Sequence, residues 1–569
     1  MNYPIWDQPG SGLLIAAIAI VHVFVSHFAV GGGLFLVVTE RRARRTHDHD
    51  LLAYVRRHSR FFVLLTLVFG ALTGVGIWFV IGLVHPSATS MLIQLFVWFW
   101  AIEWTFFIVE IVAALAYYYG WDRLAPATHM RIGWIYAVAS WMSLVVINGI
   151  LTFMLTPGAW LETRSVWDAF FNPTYWPALV ARTAAAAGLA GLYALLTASW
   201  MTRGALKPRL ARYAGAGWVM PMALVLPLSL AWYVWAAAGA GIDVRGIFGA
   251  PDGSLIDAVR ALWTGGATGH PVARMAVGAS LAGGVGLVVL LVFGVLRRPA
   301  RFGPLTVAPM LLCGIVAFGG VEFVREDLRK PYVLSHVMFV NGVRLAPAWD
   351  PYSIAQIEAK GLLASSKYVH SRAASLPADD LVGRLAADGQ AISTVLCASC
   401  HTIDGYLALR PLVAGRSVGA LETTLAKLAV PLDAAGQPTS WSQPHVGLST
   451  WRGRYMPPFV GTVEERHALA VYLARLGGAT DAQLAAATTA DDPGRAYFDD
   501  NCAMCHGDGG EWPLAARPPQ PVAAYYDMLG RLPAINEVMP PFEGDESLRR
   551  ALAVHLSALG ASQPPGGAR

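Results

Sequence analysis

The stretch Cys397-Ala398-Ser399-Cys400-His401 decides how the rest of the chain is read. Two thiols one helical turn apart can add to the two vinyl groups of a haem, and the adjoining histidine is then held beneath the iron as an axial ligand. The motif recurs as Cys502-Ala503-Met504-Cys505-His506, and the chain's five cysteines leave only Cys313 over. A zinc or redox CxxC needs no histidine directly after it, so the doubled CxxCH predicts two haem c groups, with His401 and His506 as iron ligands.

Each motif has a methionine downstream: Met456 in Arg454-Tyr455-Met456-Pro457-Pro458-Phe459 and Met539 in Val538-Met539-Pro540-Pro541-Phe542. A thioether opposite histidine raises the haem potential and suits electron transfer, whereas an open sixth position suits ligand binding. A single such methionine would be read as core packing. Its recurrence after both motifs favours ligation, and Met before Pro-Pro resembles the axial loop of class I c-type cytochromes. That resemblance implies thioether attachment outside the bacterial cytoplasm, so residues beyond about 340 are expected there.

The chain has 569 residues, of which 55% are hydrophobic and 14% charged, and its mean hydropathy is +0.48. These values exceed those of an ordinary soluble protein and indicate a membrane-embedded first part. A net charge of +5 over this length gives no nucleic-acid footprint. Cys313 lies in an apolar run and reads as packing. The start, Met1-Asn2-Tyr3-Pro4-Ile5-Trp6, lacks the positive region of a cleaved signal peptide.

Eight apolar runs are long enough to cross a bilayer, near 11–39, 61–84, 91–119, 132–156, 175–201, 214–240, 271–296 and 304–325. Cations gather on alternate connections: Arg41, Arg42, Arg44 and Arg45; Arg123 and Arg131; Arg203, Lys207, Arg209 and Arg212; Arg297, Arg298 and Arg301. The positive-inside rule makes those connections cytoplasmic. The amino terminus and everything after the eighth run then lie outside, in agreement with haem c chemistry. The expected fold class is all-α: a polytopic bundle over 1–335, an extracytoplasmic linker over 336–385, and small helical cytochrome c domains over 386–478 and 488–562. Each of the last two ends in an amphipathic helical pattern, Glu464 to Leu476 and Glu546 to Leu559.

Ionisable groups at bilayer depth are costly, which makes each a functional candidate. They are His22 and His27 in the first run, Glu103 and Glu110 in the third, Arg182 in the fifth, Arg274 in the seventh, and Glu322 and Glu326 in the eighth. Histidine and carboxylate on separate helices suit a buried haem iron or a proton path; mutual pairing or snorkelling is the alternative. Glu103 and Glu110 are two turns apart and share a helix face. His22 and His27 point in different directions, so one ligand is expected from the pair. His85, His129, His270 and His336 lie near run ends or in connections, where solvated or capping roles are expected.

The membrane part resembles subunit I of the cytochrome bd oxidases. The resembling residues are His22, Phe28 and Gly31; Thr73-Gly74 with Gly76; Ala101-Ile102-Glu103, Phe106-Phe107 and Glu110; Gly120-Trp121-Asp122-Arg123-Leu124; Asn148-Gly149 with Thr156-Pro157-Gly158; Asn172-Pro173-Thr174; and Glu326, Arg329 and Pro331. The resemblance implies that His22 and Glu326 are axial ligands of one or two high-spin haems, b or d, where O2 is reduced. It implies Glu103 beside the iron, Glu110 on the proton route, and Arg329 on haem propionates. It also implies a companion subunit II-like membrane partner and a bacterial inner-membrane location.

Departures from the family pattern carry their own information. The family's Gly-Arg-Gln-Pro-Trp reads Leu328-Arg329-Lys330-Pro331-Tyr332 here. Arg182 stands where the family's low-spin haem b has its histidine, and Ala276 where it has its methionine, unless a one-residue slip restores Met275. The low-spin haem b is therefore expected to be absent. The connection Gly241–His270 is short for a quinol-binding loop, so the fused c haems are expected to replace quinol as the electron entrance. A cytochrome or cupredoxin is the expected donor. The expected function is a cytochrome c-fed terminal oxidase; reduction of another gas such as nitric oxide, or an electron relay without gas chemistry, are the competing readings.

Overall fold

The computed structural model describes residues 11–242, 271–345, 350–428, 456–489, 493–542 and 546–561, apart from positions 351, 368, 406, 508, 509, 515–517, 519, 537 and 538, together with the isolated positions 244, 254, 257 and 260. Leu13–Met338 and Phe339–Arg569 form two compact units.

The first unit is built on eight helices of membrane-spanning length: α1 Ser11–Arg45, α2 His49–Val84, α3 Val97–Tyr119, α4 Pro126–Phe153, α5 Tyr175–Met201, α6 Leu206–Gly239, α7 Val272–Leu296 and α8 Pro304–Arg329. At 1.5 Å per residue even α3, with 23 residues, is about 34 Å long, enough for the apolar core of a bilayer. The mostly buried α4 and α5 lie innermost, while the other helices turn apolar side chains such as Leu72, Trp98, Leu228 and Trp235 outward. That outward apolar surface is what lipid or a membrane partner requires. The interior is aromatic, with Phe28, Phe35, Tyr54 and Phe62 buried together.

The second span starts twelve residues before its apolar run. Asp48 caps α2 by accepting from the Leu51 N–H at 3.0 Å, and the first turns bury Leu51, Tyr54 and Val55 while Arg56, Arg57 and Arg60 stay outward. Hydropathy alone does not register such a half-polar start. Between α4 and α5 the chain is clamped by buried amides and hydroxyls. The Asn172 side-chain amide donates to Thr152 Oγ1 at 2.9 Å and the Ala169 carbonyl at 3.0 Å; Thr156 and Thr174 share a 2.7 Å bond, and Asn148 donates to the Tyr175 carbonyl at 3.0 Å. Each such bond contributes about 1 kcal/mol.

The segment 336–385, expected to be a linker, is folded. A two-stranded hairpin, β1 Tyr332–Leu334 and β2 Met338–Phe339, leads into it, α9 Ile354–Lys360 follows, and Phe339, Val340, Val343, Ile354, Ile357 and Leu362 are buried. Asp388 holds its end by accepting from the Arg372 and Ala373 N–H groups at 2.7 and 2.9 Å. A solvated tether would not bury these apolar side chains.

The rest of the second unit repeats one design. In the first half α10 Leu381–Leu396 packs on α12 Val463–Leu476, and in the second α13 Pro493–Asn501 packs on α15 Glu546–Ala561. A glycine marks each crossing: a Cβ at Gly389 would run into the Ala468 carbonyl, and one at Gly494 into that of Ala551. Between them α11 Val418–Leu428 joins the halves, placing Ala420 in the core with Phe498 and Leu552.

Candidate haem sites

Both CxxCH motifs adopt one local geometry. The first cysteine closes the preceding helix, Cys397 N–H donating to the Ser393 carbonyl at 2.9 Å and Cys502 N–H to that of Phe498 at 2.8 Å. The motif then turns once more, His401 and His506 N–H donating to the carbonyls of Cys397 and Cys502, each at 2.9 Å. The ring Nδ1 of His401 donates to the Leu407 carbonyl at 2.7 Å, and that of His506 to the Trp512 carbonyl at 3.0 Å. Nδ1 therefore carries the proton, and Nε2 presents its lone pair as an iron ligand must. Burial lowers the His401 pKa, which keeps that lone pair free at neutral pH. None of the four motif cysteines is in a disulfide, as thioether formation requires. Met456 and Met539 are both described and half-buried, whereas Arg454, Tyr455 and Val538 lie outside the described residues.

In the membrane unit His22 Nδ1 meets Thr73 Oγ1 at 3.0 Å. The Thr73 hydroxyl donates to the Phe69 carbonyl at 2.9 Å, so it accepts from His22 and leaves Nε2 as a free base. Gly74 adjoins the ring, where a Cβ would come 3.1 Å from His22 Cε1. His27 is buried, its Nδ1 donating to the Val23 carbonyl at 2.7 Å, and its Nε2 has no hydrogen-bond partner. Glu103 Oε1 accepts from Ser143 at 3.0 Å, and Glu110 Oε1 is buried without a hydrogen-bond partner.

The structure brings Glu326 and Arg329 together: they form an ion pair, with Lys330 at 3.5 Å and Arg325 at 4.0 Å from the same carboxylate. Arg329 also reaches the Met154 sulfur at 3.5 Å. Arg182 lies 3.7 Å from Glu322, which in turn accepts from Arg325 Nε at 2.8 Å. Met275 is 73% exposed, on the outside of α7. The connection 241–270 and His270 fall almost wholly outside the described residues.

Sequence reasoning missed a second polar centre. Glu40, fully buried, accepts from Tyr117 Oη at 2.6 Å, Arg44 Nε at 2.6 Å and His129 Nδ1 at 2.9 Å. His129, expected to have a solvated or capping role, is buried there, because its position four residues into α4 turns it inward rather than to the end. Arg325 belongs to the Glu322 group as well; its spacing of three from Glu322 was the available signal in the sequence. Burial together with Lys330 and Arg329 lowers the His85 pKa to about 4, so this ring is neutral. Among the described residues no three His, Cys, Asp or Glu side chains converge as a metal cage would need.

Residues 11–240 match the family model described as cytochrome bd terminal oxidase subunit I. Residues 489–556 match that of cytochrome c oxidase, cbb3-type, subunit III. No curated protein matches the chain. Among solved structures, the bd oxidase from Geobacillus thermodenitrificans is similar at 18% identity and a TM-score of 0.45, over 59% of this chain and 89% of that one. With eight apolar helices, the two family matches identify an integral membrane, haem-binding electron-transfer protein with a part similar to cytochrome bd subunit I and a part similar to a c-type cytochrome.

Proposed function

We propose that this chain is the catalytic subunit of a cytochrome bd-type terminal oxidase that takes electrons from a cytochrome or cupredoxin, through two haem c groups, to one or two high-spin haems that reduce O2. The observation that carries the reading is Arg182 bound to Glu322. The residue at the low-spin haem position is a guanidinium committed to a carboxylate, and Met275, one residue from the family's methionine position, faces outward. A low-spin haem b has no protein ligand there, and electrons need another entrance. The repeated His401 and His506 geometry supports that entrance.

When bound, the haems supply electron storage and the iron that meets the gas. The chain's own residues do the rest. Cys397, Cys400, Cys502 and Cys505 would fix two macrocycles covalently, and His401, His506, Met456 and Met539 would hold their irons. His22 and Glu326 ligate in the membrane unit, Arg329 offers a guanidinium fork to propionates, and Glu103 and Glu110 hold protons for the reaction. The cation bias of the connections supports c domains on the periplasmic side of a bacterial inner membrane, and the outward apolar helices support a subunit II-like neighbour.

The test is a reduced-minus-oxidised spectrum with a CO difference spectrum and haem quantitation on the purified complex. A CO-reactive haem beyond two c haems, without a low-spin b signal, is the expected result. A membrane haem that ignores CO would make the protein an electron relay. A CO-reactive haem that turns over nitric oxide but not O2 would reassign the substrate.

A further inference from the structure

The antiparallel helices α3 and α4 carry polar side chains in matched steps of seven. On α3 they are Glu103, Glu110 and Tyr117; on α4 they are Ser143, Tyr136 and His129. Every step toward the C-terminus of α3 is met by an equal step toward the N-terminus of α4, so the residues face each other as rungs. Ser143 donates to Glu103 at 3.0 Å, Tyr117 stacks on His129 with ring centroids 4.2 Å apart, and Tyr136 on the middle rung donates its hydroxyl to the Ala29 carbonyl of α1 at 3.1 Å, leaving its oxygen lone pairs to accept. Seven residues is about 10.5 Å along a helix, a gap that one or two ordered waters can bridge between polar groups. A seam between two apolar helices has no structural need for six polar residues in register.

The last rung is tied to Glu40 of α1. His129 Nδ1 faces Glu40 at 2.9 Å, and Nε2 faces the Tyr117 carbonyl at 2.8 Å. A carbonyl can only accept, so Nε2 carries a proton. The Nδ1–Oε1 contact needs another, on the ring or on the carboxyl. One more proton is thus held here than a neutral histidine and a carboxylate would carry, and Arg44 of the same cluster reaches partly into solvent.

We propose that Glu40, His129 and Tyr117 form the proton-loading site of the membrane unit, from which protons move along the α3–α4 seam past Tyr136 to Glu110 and Glu103. This rests on the oxidase reading for its purpose and on the charge bias of the connections for its cytoplasmic placement. In each step only O–H and N–H bonds change. Glu40 takes the proton from His129 Nδ1 and hands it to Tyr117 Oη as Tyr117 releases its hydroxyl proton to water on the seam, and the proton shared by Glu40 and His129 is replaced through Glu40 from water beside Arg44.

The experiment measures proton uptake with a pH-indicator dye during reduction of the membrane haem, on the full chain with its co-purifying subunits, and follows O2 consumption separately. Glu40→Gln and His129→Gln are expected to keep haem content and electron arrival while slowing proton uptake about 10-fold or more, with a larger solvent deuterium isotope effect. Asp122→Asn, whose carboxylate pairs with Arg56 away from the seam, is expected to behave as the parent. Tyr117→Phe removes only the hydroxyl that links Glu40 to α3 and decides the matter should the other variants fail to assemble. Parent-like uptake in Tyr117→Phe, or in an assembled Glu40→Gln, overturns the proposal. A parent that takes up protons through this site yet consumes no O2 overturns the oxidase reading and leaves the proton path standing.

Discussion

Arg182 on α5 and Glu322 on α8 approach to 3.7 Å inside the helix bundle, and Arg325 completes the group by donating to the same carboxylate at 2.8 Å. Two cations therefore share this anion, Arg325 also lying 4.0 Å from Glu326, in a low-dielectric setting where removing one partner of a buried pair costs about 3–5 kcal/mol. The group is asymmetric, and so are the expected effects. Glu322→Gln leaves two guanidinium groups facing each other and should prevent assembly or sharply lower the melting temperature. Arg182→Met leaves the Glu322–Arg325 pair intact and should be the milder change. Thermal melting in detergent, with membrane-haem content followed in parallel, checks the order; an Arg182→Met protein as stable as the parent would mean that Arg182 is solvated rather than paired.

The anchoring of His401 and His506 by backbone carbonyls fixes which ring nitrogen faces iron and leaves the opposite ligand to set the potential. Replacing Met456 or Met539 by alanine should lower the midpoint potential of the corresponding c haem by a substantial part of the ~0.8 V that axial ligands span. Redox titration of each variant checks this. An unchanged potential in one of them would remove that methionine from the ligand set.

Much of this arrangement was legible in the sequence, for reasons that differ by element. Eight spans were visible because a run of about 20 apolar residues has few other uses. The CxxCH motifs were visible because their chemistry dictates their spacing. The Glu40–His129–Tyr117 group was not, since its members stand 89 and 77 residues apart in the chain from Glu40 and meet only once three helices pack. The folded segment around α9 was hidden for another reason: short buried stretches such as Val337–Val340 carry no period long enough to register. Asn148, Thr156, Asn172 and Thr174 were conspicuous as a motif, yet they serve as a clamp between α4 and α5, so their pattern marked the fold rather than a site.

Thr73 offers a sharper test of His22 than replacing the histidine itself. Thr73→Val keeps the shape but removes the acceptor for His22 Nδ1–H, leaving that group without its 3.0 Å partner. Loss of such an outer partner typically costs 10- to 100-fold in affinity for the bound metal group. Haem quantitation should therefore show a weakened membrane haem in Thr73→Val, with both c haems retained. His22→Ala should lose that haem outright. A Thr73→Val protein with full membrane haem would place the ligand elsewhere, and His27, whose Nε2 has no hydrogen-bond partner, would be the next histidine to replace.

Asp499, at the junction of α11 and α13, makes the second unit sensitive to acid in an unusual direction. Burial pushes its carboxyl up to about 6, outweighing Arg495 and the Ser417 hydroxyl. The folded state then retains a proton that the unfolded chain has lost above its ordinary value of 3.8. By linkage the contribution is greatest below that value, declines as pH rises toward about 6, and is flat above it, amounting to at most about 3 kcal/mol. Asp499→Asn cannot titrate and should abolish this slope, stabilising the unit at neutral pH relative to the parent. Melting of the haem-loaded chain, followed by circular dichroism of the c-haem bands across that range, reads the difference. A parental slope that survives in Asp499→Asn would assign the pH dependence to another carboxylate.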